Sequence, residues 1–121
     1  MHTVLILDGD MATRTLLASA LADEYLVRAV SCPSDAISFL RQNPVDLIVM
    51  EVGTDDSGGL SVLAYVAGMH PQPQVVIHTA QTHLDKVVKL MRLGVTEYLV
   101  KPADLEVIRS AVRNALQDHK G

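Results

Sequence analysis

Short apolar runs alternate along the chain with segments in which apolar residues recur every three or four positions. The runs are Val4–Leu7, Leu26–Val30, Leu47–Met50, Val75–Ile77 and Tyr98–Val100. They are rich in Val, Ile and Leu, as strands buried on both faces must be. Only Leu26–Val30 carries a charge, Arg28, which places that strand at a sheet edge where part of it stays wet. Between the runs, Leu60, Leu63, Ala64 and Ala67 form one helical stripe, and Leu84, Val87, Val88 and Met91 form another. Leu16, Leu17, Ala20 and Leu21, then Ala36, Ile37 and Leu40, and finally Leu105, Ile108, Val112 and Leu116 supply three more. Asp10, Ser34 and Asp104 stand where helix N-caps belong, Pro44 ends the second helix, and Gly94 follows the fourth as a C-cap glycine does. Strict alternation with short connections predicts parallel strands joined by right-handed crossovers. The expected fold is therefore α/β: a doubly wound, five-stranded parallel sheet with five helices, formed as one domain over residues 1–121.

Composition narrows the function. With 49% apolar residues in 121, the chain can build a core without disulfides or metal. Ten basic against 14 acidic residues give a formal charge of −4, the wrong sign for direct contact with a nucleic-acid backbone. The lone Cys32 has no partner for a disulfide, which fits a reducing, cytoplasmic setting. No apolar run approaches the roughly 20 residues of a membrane span, and Asp8 interrupts any signal-peptide reading. His2, His70, His83 and His119 lack zinc-ligand spacing. Met11, Met50, Met69 and Met91 fall at or near apolar stripes and read as core filler.

In doubly wound sheets, chemistry gathers beyond the carboxyl ends of the strands. There the sequence places Asp8-Gly9-Asp10 after the first strand and Glu51-Val52-Gly53 after the third. Thr79-Ala80 follows the fourth strand and Lys101-Pro102 the fifth. Any one of these could be an ordinary polar loop residue. Four strand ends delivering carboxylates, a hydroxyl and an ammonium to one rim form a more specific pattern. His78, on a strand expected to be buried, reads as a core histidine with a satisfied ring, or as a group that tunes the rim with pH.

These residues, with Arg14, Gly59-Leu60, Gly94 and the run Glu97-Tyr98-Leu99-Val100-Lys101-Pro102, resemble the receiver domains of two-component response regulators. The resemblance covers essentially the whole chain and implies the flavodoxin-like strand order 2-1-3-4-5. In that family an aspartate ending the third strand accepts a phosphoryl group from a histidine kinase, with magnesium held by an acidic pair after the first strand. A carboxylate is a weak nucleophile and repels phosphoryl oxygens, so the cation and a lysine must cancel charge as the bond forms. By position, the resemblance makes Lys101 that lysine, Thr79 the switch hydroxyl and Tyr98 the strand-five aromatic. Tyr98 reads equally as an aromatic that packs against its neighbours.

The chain departs from the family where the chemistry is concentrated. Glu51 occupies the phosphoacceptor position, and the second member of the acidic pair is Gly9, which has no side chain. Asp8 matches the first member of the pair, and Asp10 matches a third acidic position or simply caps the first helix. Magnesium demands near-ideal octahedral oxygen geometry, so Asp8 and Asp10 offer it a weak or vestigial site. Glutamate carries its carboxylate about 1.5 Å further out than aspartate, one carbon–carbon bond, which makes Lys101 its natural partner. At roughly 4 Å and an effective dielectric near 20, that attraction is on the order of 4 kcal/mol before desolvation. Asp55 and Asp56, in the loop after the third strand, are rescue ligands or a solvated turn.

The resemblance therefore implies a signalling domain rather than an enzyme, with no cofactor certain and magnesium only as a weakly held one. The leading expectation is a pseudo-receiver that works through protein–protein contacts without phosphorylation. The alternative is a magnesium-dependent phosphoacceptor using Glu51 or a nearby Asp. A flavin-binding reading fails because Asp8-Gly9-Asp10 would repel a phosphate. Expected partners are a histidine kinase, an output domain, or a second copy forming a homodimer. The contact face would be the fourth helix, fifth strand and fifth helix, which carry Lys86, Lys89, Arg92, Glu97, Asp104, Glu106 and Arg109. In the family a further module often follows this domain, so a single-domain regulator and part of a longer protein both stay open.

Overall fold

A computed structural model of the chain describes residues 1–52, 57–80 and 84–118. The chain runs β1 (Thr3–Leu7), α1 (Met11–Leu21), β2 (Leu26–Val30), α2 (Pro33–Gln42), β3 (Leu47–Met50) and α3 (Ser57–Ala67). It continues with β4 (Gln74–Thr79), α4 (Leu84–Arg92), β5 (Glu97–Val100) and α5 (Leu105–Asp118). All strands are parallel, in the order β2-β1-β3-β4-β5. This is the doubly wound architecture expected of the strand–helix alternation.

Alternation along each central strand divides the core into two layers. Leu5, Leu7, Ile48, Met50, Val75 and Ile77 face Ala36, Leu40, Val62, Leu63 and Val66 of α2 and α3. Val4, Ile6, Leu47, Val49 and Val76 face Leu17 and Leu21 of α1 and Ile108 and Val112 of α5. No helix among the described residues is long and apolar enough to cross a membrane.

Several local expectations are corrected. β4 extends two residues beyond Val75–Ile77 to include His78 and Thr79, because β5 pairs with it as far as Thr79–Val100. β5 is an edge strand rather than one buried on both faces, and Glu97 and Val100 are exposed. The buried stripe of α3 is Val62, Leu63 and Val66, while Ala64 and Ala67 face solvent. That helix is apolar nearly all round, so the bulkier Val residues decide which arc is covered. Val88 and Met91 of α4, and Leu16 and Met11 of α1, are exposed. Of the four methionines read as core filler, Met50 is buried and Met69 packs at the core margin. α2 is capped at Cys32 without a side-chain bond, not at Ser34, because Pro33 occupies the first turn; its missing N–H is no loss there and its φ is pre-set. Asp10 does cap α1, accepting from the Thr13 N–H at 3.0 Å. Asp104 caps α5 through the Glu106 N–H, also at 3.0 Å.

Candidate functional site

Register assembles the site. Leu7 lies beside Met50 in the β1–β3 ladder, and the Glu51 N–H donates to the Leu7 carbonyl at 2.9 Å. Asp8 and Glu51 therefore leave adjacent strands side by side. On the far side of β4, the Lys101 N–H donates to the Thr79 carbonyl at 2.8 Å, which carries the ladder one residue past β5. The Lys101–Pro102 peptide that follows is cis.

From that position Lys101 places its Nζ 2.7 Å from Glu51 Oε2 and 2.9 Å from Asp8 Oδ2. Asp8 is 2% exposed and Lys101 17%, whereas Glu51 keeps about a third of its surface open, at 32%. Burial alone pulls the Lys101 pKa down, but the hydrogen bonds to Glu51 and Asp8, together with their charges, hold it above the ordinary lysine value. The ammonium is thus the cation shared by the two carboxylates.

The remaining valences of Asp8 are engaged locally. Its Oδ1 accepts the Asp10 N–H at 2.9 Å, and its carbonyl accepts from Arg14 Nη1 at 2.9 Å. Asp10 does not join the cluster. Its Oδ2 accepts from both the backbone N–H and the hydroxyl of Thr13, at 3.0 and 2.6 Å, and these bonds lower its pKa. Gly9 is exposed, and a Cβ built on it would meet nothing within 4 Å.

Thr79 is buried, and its hydroxyl donates to the Val52 carbonyl at 2.6 Å. The end of β4 is thereby tied to the backbone just beyond Glu51. Tyr98 is half-buried against the core layer under α2 and α3. His78 is 4% exposed, and its Nε2 accepts the Ala103 N–H at 3.4 Å, while Nδ1 has no partner among the described residues. Burial first, then the Lys101 charge, pushes the His78 pKa down, against the pull of Asp8 and Glu51. The His78–Ala103 bond was not foreseen. Its signal was a polar ring on a strand expected to be buried, which needs a partner; the ring is satisfied at Nε2 alone. Asp55, Asp56, His83 and His119 lie outside the described residues.

Magnesium keeps several of its waters and is usually held through one or two carboxylates that are free to reach it. Here Asp8 and Glu51 are bonded to an ammonium, Asp10 caps a helix, and Gly9 offers nothing. No group of three or more potential ligands exists among the described residues. In this arrangement the described residues fit a magnesium site poorly, because the carboxylates they bring to the rim are already engaged.

Residues 4–113 match the family model described as the response regulator receiver domain. The chain is 33% identical over 118 residues to the DNA-binding transcriptional regulator NtrC of Azospirillum brasilense, covering 97% of this chain and 24% of that protein. It is 32% identical over 114 residues to the response regulator PilR of Pseudomonas aeruginosa, covering 93% and 26%. The chain thus spans about a quarter of the length of these relatives. In three dimensions it resembles a CheY-like receiver domain from Methanospirillum hungatei JF-1, with a TM-score of 0.89, 18% identity and coverage of 98% and 95%. The chemotaxis regulator CheY4 of Vibrio cholerae is similar, with a TM-score of 0.86, 22% identity and coverage of 96% and 99%.

Proposed function

The chain belongs to the response regulator receiver domain family, and we propose that within two-component signalling it is a pseudo-receiver, one domain over residues 1–121 that conveys information by protein–protein contact rather than by phosphorylation. The observation that carries this reading is the Lys101 ammonium held at 2.7 and 2.9 Å from Glu51 and Asp8. Two carboxylates and one ammonium leave a net charge near −1, with the cation supplied internally. Glu51 occupies the acceptor position as a partner of Lys101, 2.7 Å from its Nζ. A permanent charge near −1 imitates part of a phosphoryl group's charge of nearly −2.

In this reading Thr79 and Tyr98 keep the places of the switch pair, and the Thr79 hydroxyl is committed to Val52. The partner face is α4–β5–α5, where Val88, Met91, Val100 and Val107 are each 40–48% exposed. Exposed apolar side chains among Lys89, Arg92, Glu97 and Glu106 suit a protein surface with a mixed-charge rim. A histidine kinase, an output domain or a second copy of the chain is the proposed occupant, and a cytoplasmic setting goes with it.

Incubation with acetyl phosphate and magnesium, read by intact mass, tests the proposal. The expected result is no phosphoryl gain in the wild type and a gain after Glu51→Asp with Gly9→Asp, since the space around Gly9 admits a side chain. A phosphoryl adduct on wild-type Glu51 would establish the phosphoacceptor reading instead.

A further inference from the structure

The free side of β2 carries a feature that the receiver reading does not use. Among the described residues β2 pairs with β1 alone. Its Leu26 N–H donates to His2 and its Val30 carbonyl accepts from Asp8, so residues 26, 28 and 30 turn their main chain toward β1. Strand alternation then turns the N–H and C=O of Val27 and Ala29 outward, about 6.6 Å apart along the edge. Two hollows run along this side, of about 440 and 340 Å³, and both are lined by Arg28 and Phe39. Together they form one groove between the β2 edge and α2.

Charge selects the occupant. The Arg28 guanidinium lies 5.7 Å from the centre of the Phe39 ring and makes no ion pair or hydrogen bond among the described residues. Arg14 adds a second guanidinium to the wall and Asp35 a single carboxylate, leaving a positive spot on a chain of net charge −4. Next to it, Leu26 is 56% exposed and shares the second hollow with Pro44. A second copy of this chain suits the groove poorly, because antiparallel pairing centred on β2 sets Arg28 against Arg28, and like charges directly opposite destabilise a strand pair.

We propose that the β2 edge binds an extended segment of a partner protein as a sixth strand, through the outward main chain of Val27 and Ala29. An acidic side chain of that segment pairs with Arg28, and an apolar one two positions away covers Leu26. Strand addition of this kind takes affinity from main-chain hydrogen bonds and specificity from alternate side chains.

The test is an amide-resolved NMR titration of the chain with a synthetic peptide of alternating valine and threonine bearing one central glutamate. The same peptide with lysine in place of glutamate is the comparison. Saturable shifts and slowed exchange at Val27 and Ala29 are expected, with the glutamate peptide binding roughly fivefold tighter. Arg28→Glu, on the surface, should reverse that preference, and Ala29→Pro, checked for folding by circular dichroism, should abolish binding. Shifts confined to other regions, or equal affinity for the two peptides, would overturn the proposal. So would shifts at Val27 and Ala29 that arise on concentrating the chain alone, which would assign the edge to a second copy.

Discussion

Lys101 holds together two carboxylates that would otherwise repel, and one of them, Asp8, is almost fully buried. Lys101→Met strands that charge. Because an unpaired buried charge is costly, the variant should lose about 3 kcal/mol of stability in urea unfolding. Glu51→Gln should lose under about 1 kcal/mol, since residue 51 is partly exposed and an amide oxygen still accepts from Nζ. Equal losses would mean that the ammonium serves Glu51 as much as Asp8. The raised Lys101 pKa fixes the alkaline limb: its contribution is complete below the ordinary value of 10.5 and disappears as pH rises through the higher folded-state value. His78 acts at the other end. Its folded-state pKa is lowered, so below about 6.5 the unfolded chain takes up the proton first and stability falls with falling pH until the folded-state value is passed. His78→Gln keeps an acceptor for the Ala103 N–H and should flatten that limb in unfolding measured between about pH 5 and 7. An unchanged slope would place the acid sensitivity on the carboxylates.

At the scale of elements, boundaries differ in how much of their physics is local. The Asp10 cap is local chemistry, a carboxylate three residues before a waiting N–H, and it was legible in the sequence. Asp10→Ala should cost about 1 kcal/mol in chemical unfolding. Ser34→Ala should stay within about 0.5 kcal/mol, because Pro33 starts α2 and, among the described residues, the Ser34 hydroxyl bonds only the Cys32 sulfur. A larger loss at Ser34 than at Asp10 would reverse the assignment of caps. Other features depended on partners that no single segment reveals. His78 and Thr79 are too polar to announce a strand, yet β5 pairs with them. Val88 and Met91 continue a regular stripe on α4, but nothing in their spacing says whether another layer covers them, and they face solvent. α3 showed the opposite difficulty, an apolar surface so broad that periodicity could not select the buried arc.

At the scale of the molecule, the site exists only because the sheet is ordered β2-β1-β3-β4-β5, which joins Glu51 to Lys101 across 50 residues of sequence. That convergence was legible, because residues just past parallel strands must share one rim. The connection of each side chain at the rim was not: Asp10 turns to Thr13 and Thr79 to Val52, choices set by distances of an ångström or two. The internal ammonium has a thermodynamic signature for the whole chain. A ligand that binds only the folded state stabilises it by RT ln(1 + [L]/Kd), about 1.4 kcal/mol at ten times Kd. With Lys101 already bonded to Asp8 and Glu51, magnesium in place of a chelator should leave the wild-type melting temperature unchanged. In Gly9→Asp/Glu51→Asp, residue 51 is shorter by one carbon–carbon bond, about 1.5 Å, and residue 9 adds a carboxylate in open space. Oxygens are then free to converge on a divalent ion, and the melting temperature should climb with magnesium and saturate. Calcium and an equal ionic strength of sodium chloride separate specific binding from screening. If wild type and double variant rose together, the lysine would not be what fills the cation's place, and the argument for contact-based signalling would lose its physical cause.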